Sequence, residues 1–263
     1  MNDTDQLDLM LSALSEIIEE EKGAKASPQT PPEPVLPNLS RVLAGLSPLP
    51  REALFLGMAN DGLPVLLNLY DPVPGPILVA GDGFSGKTRL LQTIARAVEA
   101  LHAPEVVQYG IVAQKPEEWR DLYGSKNNAG IYRANETNAV ELIQSLVTWA
   151  HNNKGEGQSI LLFIDELDDA LKLGEDTRQN LRWLLLRGPS RRVWTFASLN
   201  AKRAESVSEW LEFFRTRLFG FIESEETART LTGNSPLNHL ASAQEFAMRE
   251  GNHLLKFWLP AIN

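Results

Sequence analysis

The sequence predicts an α/β fold in which helices cover both faces of a mostly parallel β-sheet. Short apolar runs alternate with amphipathic helical stretches along most of its 263 residues, and this alternation is typical of parallel sheets. One apolar run, Ile77–Ala80, leads into a glycine-rich loop, and another, Ser159–Ile164, ends in two acidic residues. Buried parallel strands are apolar on both faces and carry their chemistry at their carboxyl ends, so both runs are expected to be strands of this sheet.

The predicted elements begin with a short helix over residues 39–45 and a β-hairpin. The strands of this hairpin are Ala53–Gly57 and Val65–Leu69, and Asn60-Asp61-Gly62 is a typical hairpin turn between them. The alternating part follows, and its periodicity predicts strand 77–80, helix 88–101, strand 106–112, helix 135–152, strand 160–164, helix 175–187, strand 193–199, helix 204–214, strand 218–222 and helix 225–232. A second hairpin, 245–249 and 253–258, closes the chain.

The first 37 residues differ from the rest of the chain in composition. Residues 5–22 carry leucine and isoleucine at three- and four-residue steps, which predicts an amphipathic helix too short for a stable coiled coil. Five prolines follow within residues 26–37 and predict an extended linker. The helix is interpreted either as a tag that binds a protein partner or another copy, or as a segment that folds back onto its own domain or stays partly disordered. The predicted domains are an appendage over 1–25, the linker 26–37 and a globular domain over 38–263.

The composition excludes several classes of protein. The chain contains no cysteine, which excludes disulfides and thiolate metal sites, and its four histidines lack the spacing of metal ligands. No apolar run reaches about 18 residues, so no membrane insertion is expected. The N-terminus has no secretory pattern, so the chain is expected to be cytoplasmic. Residues 1–36 hold eight acids and two lysines, a net charge of −6 that leaves −3 of the total −9 for the globular part. That part therefore lacks the broad basic face that dominates nucleic-acid binding.

The glycine-rich loop has the G-x-x-x-x-G-K-T pattern of a phosphate-binding loop. Its backbone N–H groups are expected to surround a polyphosphate, with Lys87 reaching the β- and γ-phosphates and the Thr88 hydroxyl holding Mg²⁺. A chance glycine loop is the alternative, and the strand before it and the helix after it argue against that alternative. Lys87 is expected to face solvent when no nucleotide is bound. The predicted nucleotide-binding residues are Gly81, Asp82, Gly83, Phe84, Ser85, Gly86, Lys87, Thr88 and Arg89.

The two acidic residues after the second apolar run complete this interpretation. Asp165 is placed to hold Mg²⁺ together with Thr88, and Glu166 is placed to orient and polarise an attacking water. Alone the pair is a weak signal, because acidic residues often begin the next helix. With a complete phosphate-binding loop upstream in the same domain, the pair favours hydrolysis of a nucleoside triphosphate. The sequence carries no motif that selects guanine.

Further segments extend the pattern beyond these two motifs. They lie at Leu56–Val65, Pro76–Gly81, Ile164–Leu167, Arg191–Asn200, Phe214–Phe221 and Glu245–Pro260. Together they resemble the motor domain of the FtsK/HerA superfamily of ATPases over roughly residues 56–260, and the two hairpins are the most specific part of the match. The resemblance implies a RecA-like P-loop NTPase fold, ATP and Mg²⁺ as cofactors, and a ring of subunits, six in many such motors, that moves double-stranded DNA or protein.

The resemblance also implies an active site between subunits, which an arginine of the neighbouring subunit completes. Arg191 and Arg217 are the candidates for this catalytic role, and Arg187 and Arg192 are further ones. Each of the four could instead be an ordinary surface or ion-paired arginine.

The chain departs from the family at one polar position after the second motif. The family's glutamine sensor falls on Leu199, so Ser198 or Asn200 would have to serve instead. Two functional hypotheses remain open. The first is a ring-forming ATPase motor, and the second is a nucleotide-dependent switch or assembly ATPase that recruits a partner through its N-terminal helix without pumping DNA.

Overall fold

Ten strands form one mixed sheet in the part of the chain that the structure describes. The computed structural model describes residues 36–233, 235–250 and 253–262, so the predicted helix 5–22 and the linker as far as residue 35 lie outside it. The strands are β1 Ala53–Ala59, β2 Pro64–Asn68, β3 Ile77–Gly81, β4 Val107–Ala113, β5 Asn128–Arg133, β6 Ser159–Asp165, β7 Val193–Asn200, β8 Thr216–Phe219, β9 Glu245–Glu250 and β10 His253–Trp258. Their order in the sheet is β2-β1-β10-β9-β8-β3-β7-β6-β4-β5.

The sheet has a parallel half and an antiparallel half that meet at β8. From β8 through β3, β7, β6 and β4 to β5, every neighbouring pair is parallel, whereas β9, β10, β1 and β2 pair in antiparallel fashion. Because parallel strands end at the same edge, the carboxyl ends of β3, β6 and β7 lie side by side in the centre of the sheet. This confirms the predicted α/β class, the mostly parallel central sheet and both hairpins.

Helices cover the sheet on both faces, as predicted. They are α1 Leu39–Leu46, α2 Lys87–Leu101, α3 Thr137–Asn152, α4 Leu167–Ala170, α5 Glu175–Arg187, α6 Ser208–Leu211 and α7 Glu225–Thr232, with 3-10 turns at Pro116–Leu122, Pro189–Arg191, Ala201–Arg203 and Glu205–Val207. The apolar stripes of α3 and α5 pack on one face of the central strands, and that of α2 packs on the other. Burial of these stripes supplies the main driving force for the arrangement. Among the described residues, every helix is too short or too polar to cross a membrane.

The structure differs in several regions from the elements that the sequence predicts. The helix predicted over 204–214 is instead one 3-10 turn, Glu205–Val207, followed by the four-residue α6, because Val207 adopts a ψ of 20° and interrupts the helix. Strand β8 spans Thr216–Phe219 rather than 218–222. Strand β5 is not predicted by the sequence, since it lies at the edge of the sheet and Ile131 is its one buried residue, which leaves no apolar run to recognise.

One buried ion pair ties the β1–β2 hairpin to the amino end of β7. The guanidinium of Arg192 pairs with the carboxylate of Glu52 and donates to the carbonyl oxygens of Leu69 at 3.2 Å and Gly157 at 3.0 Å. It also lies 4.7 Å from the ring centroid of Tyr70. Arg192 is 3% exposed, and one carboxylate and two carbonyls accept from the two terminal nitrogens of its buried guanidinium, while its Nε has no acceptor among the described residues. Arg192 therefore serves the fold.

Substitution of Arg192 by methionine tests this assignment. Arg192→Met leaves Glu52 buried without its partner, and we expect the free energy of unfolding to fall by about 3–5 kcal/mol in a chemical denaturation measurement. The double variant Glu52→Leu/Arg192→Met removes both charges and should recover much of the loss. Arg191→Met, one residue earlier and partly exposed, is the matched control and should change stability by less than about 1 kcal/mol. A loss no larger than that of the control would contradict a structural role for Arg192.

Candidate functional site

The glycine-rich loop joins β3 to α2 at the carboxyl edge of the parallel strands. Phe84 and Gly86 have positive φ angles of 62° and 88°, a region that is open to glycine and uncommon for phenylalanine. Gly83 and Phe84 form the exposed tip of the loop, whereas Ser85 is fully buried beneath it. The first turn of α2 begins directly after Gly86, so the free N–H groups of a helix start face the loop. This is the geometry that the loop pattern predicts.

Asp82 anchors the loop to the segment after β8. Its amide donates to the carbonyl oxygen of Phe221 at 2.9 Å, and its carboxylate accepts the amide of Glu223 at 2.9 Å. The side chain is almost fully buried. Asp82 thus belongs to the predicted loop, but its carboxylate is used to fix the loop in place.

Lys87 lies inside the site and not in solvent, so the expectation that it faces solvent is wrong. The residue is 6% exposed, and its Nζ donates to the carbonyl oxygen of Asp82 at 3.0 Å. The same Nζ lies 3.7 Å from Oε1 of Glu166. A buried ammonium group needs acceptors, and the loop and the carboxylate supply them. The position still places the charge directly beneath the phosphate-binding loop.

Asp165 joins the loop to the second motif across the central strands. Its carboxylate accepts the Thr88 hydroxyl at 3.0 and 3.1 Å and the Ser198 hydroxyl at 2.8 Å. Burial raises the pKa of Asp165, and the hydrogen bonds from Ser198 and Thr88 act against that rise. The Thr88 hydroxyl and the Asp165 carboxylate are hard oxygen donors side by side, the type of ligand that Mg²⁺ prefers when phosphates supply the remainder. Within the described residues, no cluster of three or more His, Cys, Asp and Glu side chains forms an all-protein metal site.

Glu166 is held in a strained backbone conformation at the end of β6. Its φ is 76°, which is uncommon for a residue with a side chain. The Glu166 amide donates to the Ser198 hydroxyl at 2.8 Å, and its carboxylate accepts the Asn200 amide at 3.2 Å. Burial raises the pKa of Glu166, the Lys87 ammonium lowers it, and the Asp165 carboxylate raises it again. A partly exposed carboxylate with a raised pKa is a stronger proton acceptor than a free one.

Strand β7 supplies the polar groups between the two motifs. Ser198 and Asn200 are two residues apart and therefore share one side of the strand, while Leu199 points to the other side and is fully buried. The two alternative polar positions that the sequence suggested are thus both in contact with the acidic pair. Ser198 contacts both Asp165 and Glu166 through its hydroxyl, whereas Asn200 contacts Glu166 through its backbone.

The candidate arginines lie away from the loop of their own chain. Arg187 and Arg191 precede the amino end of β7, the edge of the parallel sheet opposite the loop. Arg187 is exposed, and Arg191 is partly buried with its guanidinium donating to the carbonyl oxygen of Asn153 at 3.0 Å. Arg217 is also partly buried and donates to the carbonyl oxygens of Leu231 and Leu211 at 3.2 and 2.7 Å. Burial lowers the pKa of Arg217, and the nearby charge of Arg249 lowers it further.

Comparison with known proteins identifies the fold. The sequence matches no protein-family profile and no curated protein. The structure is similar to ATPases 2 and 3 of EccC from Thermomonospora curvata, solved with a signal sequence peptide, with a TM-score of 0.67 and 16% identity over 87% of this chain and 43% of that one. It is also similar to the conjugation coupling protein TcpA of pCW3, solved with ATPγS, with a TM-score of 0.66 and 16% identity over 86% of this chain and 70% of that one.

A viral protein extends the comparison. The genome packaging NTPase B204 of Sulfolobus turreted icosahedral virus 2, in complex with ATPγS, gives a TM-score of 0.51 and 11% identity over 74% of this chain and all of that one. The chain spans less than half of the solved EccC chain. At these identities the comparisons concern the fold. They confirm the P-loop NTPase fold that the resemblance to the FtsK/HerA ATPases implied, so this chain has the fold of ATPase domains found in secretion, conjugation and genome-packaging proteins.

Proposed function

We propose that this chain binds ATP and hydrolyses it with Mg²⁺ as cofactor. The observation that carries the proposal is the cluster of Lys87, Thr88, Asp165 and Glu166 at the carboxyl ends of β3 and β6. Two motifs 77 residues apart in the sequence meet there through the hydrogen bonds from Thr88 to Asp165. The fold shared with ATPases, two of them solved with ATPγS, supports the same assignment.

The loop and the start of α2 bind the triphosphate. Backbone N–H groups between Gly81 and Thr88, together with the positive end of the helix, attract the β- and γ-phosphates. Lys87 is already at the site and adds a full positive charge. Its present acceptors, the Asp82 carbonyl and the Glu166 carboxylate, compete with phosphate oxygens for the ammonium group. Phosphate binding therefore draws Lys87 away from Glu166 and leaves that carboxylate free.

Glu166 acts as the general base for the water that attacks the γ-phosphorus. The carboxylate accepts the proton of the water as the new bond to phosphorus forms and the bond to the bridging oxygen of ADP breaks. Two hydrogen bonds fix the position of Glu166. The Asn200 amide donates to its carboxylate, and its own backbone amide donates to the Ser198 hydroxyl. Thr88 and Asp165 would hold Mg²⁺, which when bound neutralises charge on the phosphates.

We further propose that a neighbouring copy of the chain supplies an arginine to the transferring phosphate. Arg187 and Arg191 lie at the edge of the sheet opposite the loop, so within a ring they could reach only the site of another copy. The planar guanidinium keeps its charge and fits phosphate oxygens. Arg217 remains a candidate of the same kind, although two carbonyl groups already accept its N–H groups. Arg192 is engaged with Glu52 and is the weakest candidate.

Translocation of double-stranded DNA is our proposal for the use of the hydrolysis energy. Similar folds occur in a conjugation coupling protein and a genome packaging NTPase. The alternative, a switch or assembly ATPase that handles a protein partner, is favoured by the acidic net charge and by the similarity to a secretion ATPase. ATP hydrolysis measured with and without double-stranded DNA distinguishes the two functions, because the ATPase rate of a DNA motor rises when DNA is bound.

Substitutions of Glu166 and Lys87 test the assignment of base and phosphate ligand. Glu166→Gln keeps the size and removes the base, so ATP should bind normally while hydrolysis slows at least about 100-fold. Lys87→Ala should abolish ATP binding, measured by equilibrium titration. The control Glu225→Gln alters an exposed carboxylate that pairs with Arg229 at 3.2 Å and should leave both values unchanged. Near-normal turnover in Glu166→Gln would assign the base to another residue.

Substitution of Asp165 by asparagine separates its metal-binding role from its effect on the fold. A carboxyl group whose pKa is raised above 3.8 in the folded state destabilises the protein increasingly as the pH rises through and beyond that value. Asp165→Asn removes this cost, so the nucleotide-free variant should melt at a higher temperature than the natural protein at pH 7. The difference should shrink towards pH 4. The variant should also lose the increase in ATP affinity that Mg²⁺ gives, and a retained increase would place the metal elsewhere.

Mixing experiments test the contribution of a neighbouring copy. Glu166→Gln is expected to be inactive alone. An arginine variant is expected to be inactive alone if that arginine acts between subunits, and the variants to test are Arg187→Ala, Arg191→Ala and Arg217→Ala. A mixture should regain part of the activity, because some interfaces then contain an intact Glu166 and an intact arginine. Turnover per subunit should rise steeply with protein concentration. Activity that is independent of concentration, with no rescue by any arginine variant, would indicate a self-contained site.

A further inference from the structure

Residues 241–244, just before β9, run along the outer side of the phosphate-binding loop. The Ser242 hydroxyl donates to the carbonyl oxygen of Phe84 at 2.9 Å, and the Ala243 amide donates to that of Ser85 at 3.3 Å. These two carbonyls belong to successive peptide groups of the loop. The segment therefore contacts the loop 158 residues away in sequence. It does so through loop carbonyl groups, to which the sequence pattern of the loop gives no role.

The contact also includes the loop glycine and the start of α2. A Cβ atom added to Gly86 would lie 2.6 Å from Cα of Ala243, so the two backbones approach as closely as glycine allows. The Arg89 side chain donates to the carbonyl oxygen of Ala243 at 3.3 Å. Ala243 itself has a φ of 62°, a conformation that alanine rarely adopts and that the surrounding contacts must maintain.

Hydrogen bonds at the carbonyl side of a peptide group determine where its N–H points. The peptide unit is planar and trans, so its carbonyl and N–H groups point in opposite directions. Because the carbonyls of Phe84 and Ser85 are bound by residues 242 and 243, the amides of Ser85 and Gly86 point away from the segment. The Ser85 amide closes a turn onto the Asp82 carbonyl at 3.2 Å. The Gly86 amide is directed to the inner side of the loop, where phosphate oxygens would lie.

The segment is itself fixed to the antiparallel half of the sheet. The amides of Gln244 and Glu245 donate to the Ala241 carbonyl at 3.3 and 2.9 Å, and the Glu245 carboxylate accepts the Ala241 amide at 2.9 Å. The Leu259 amide, just after β10, donates to the Gln244 carbonyl at 3.0 Å. A tight turn anchored to both β9 and the chain after β10 can hold the loop in place.

We propose that residues 241–244 act as a brace that holds the phosphate-binding loop with the N–H group of Gly86 directed at the phosphates, and that Ser242 is a positioning residue for nucleotide binding. The proposal rests on the proposed function, because it assigns the loop to phosphate. It goes beyond that function by assigning a role to the C-terminal hairpin β9–β10, which carries the brace. Movement of this hairpin changes the geometry of the loop and hence the affinity for nucleotide.

Three serine variants of the full chain test the brace. Ser242→Ala removes one donor to the loop, Ser242→Thr keeps the hydroxyl, and the control Ser206→Ala removes a comparable exposed donor, whose Oγ lies 2.7 Å from the Arg203 carbonyl oxygen. The first measurement is amide hydrogen exchange of residues 83–88 in the nucleotide-free protein. The second is the affinity for ADP with Mg²⁺, together with KM and kcat for ATP.

The brace predicts a specific pattern in these measurements. In Ser242→Ala, the amide hydrogens of residues 83–88 should exchange faster and the affinity for ADP should fall. Each change should be about 2- to 10-fold, the range for the loss of one hydrogen bond. KM should rise more than kcat falls, because the loop contacts the phosphates before and during the reaction. Ser242→Thr and Ser206→Ala should remain within about twofold of the natural protein, and all variants should melt at the same temperature.

The exchange measurement keeps the brace distinct from the proposed function. If the natural protein binds no ADP and Ser242→Ala still exchanges faster at residues 83–88, the proposed function fails together with the role of Ser242 in nucleotide binding, and only the bracing of the loop by residues 241–244 stands. Unchanged exchange in Ser242→Ala overturns the brace whatever the protein binds. It is equally overturned if Ser242→Thr behaves like Ser242→Ala, since the hydroxyl would then not be the cause.

Discussion

The buried carboxylate of Asp165 is the group on which the rest of the site depends. It sits at the end of a strand that is apolar on both faces, and a charge in such a position is tolerated only with hydrogen-bond donors around it. The Thr88 and Ser198 hydroxyls supply two of these donors, one from each side, and so connect α2, β6 and β7. Because these donors come from separate segments, the carboxylate fixes the distance between the phosphate-binding loop and Glu166. The cost of burying Asp165 is thus linked to the spacing between Thr88 and Glu166.

The order of the central strands makes this connection possible. Strand β7 lies between β3 and β6, with Val79 opposite Ser198 and Gly81 opposite Asn200. The loop after β3 and the acidic pair after β6 therefore lie on either side of one strand, and the polar residues of β7 reach the acidic pair. Leu199 does not disturb the site, because side chains alternate along a strand and Leu199 therefore points to the side of β7 opposite Ser198 and Asn200. This explains how a chain can lack the usual glutamine at that position and still supply polar contacts.

Sequence reasoning identified the elements whose signal is local, and it missed those that depend on distant contacts. The buried strands β3, β6 and β7, the helix α5 and both hairpins carry unmistakable periodicity or turn residues, and the structure places them within one or two residues of expectation. The edge strand β5 has no apolar run, and Lys87 was expected in solvent because a loop pattern does not reveal that a glutamate lies 3.7 Å away. Residues 241–244 show no motif at all. Their relation to the loop exists only because β9 pairs with β8, next to β3.

The two halves of the sheet have different tasks, and the loop is where they meet. The parallel half carries Lys87, Thr88, Asp165 and Glu166, while the described residues of the antiparallel half contribute no side chain to that cluster. The antiparallel half instead contacts the loop from outside, through the turn before β9, and the segment after β8 holds it through Asp82. The loop's own Asp82 carboxylate accepts the Glu223 amide, and the Ser242 hydroxyl and Ala243 amide donate to loop carbonyls, so none of these contacts uses Lys87 or Glu166. A ligand or partner that displaced the C-terminal hairpin would alter the loop without contacting Lys87 or Glu166, which is an arrangement that can couple two distinct sites.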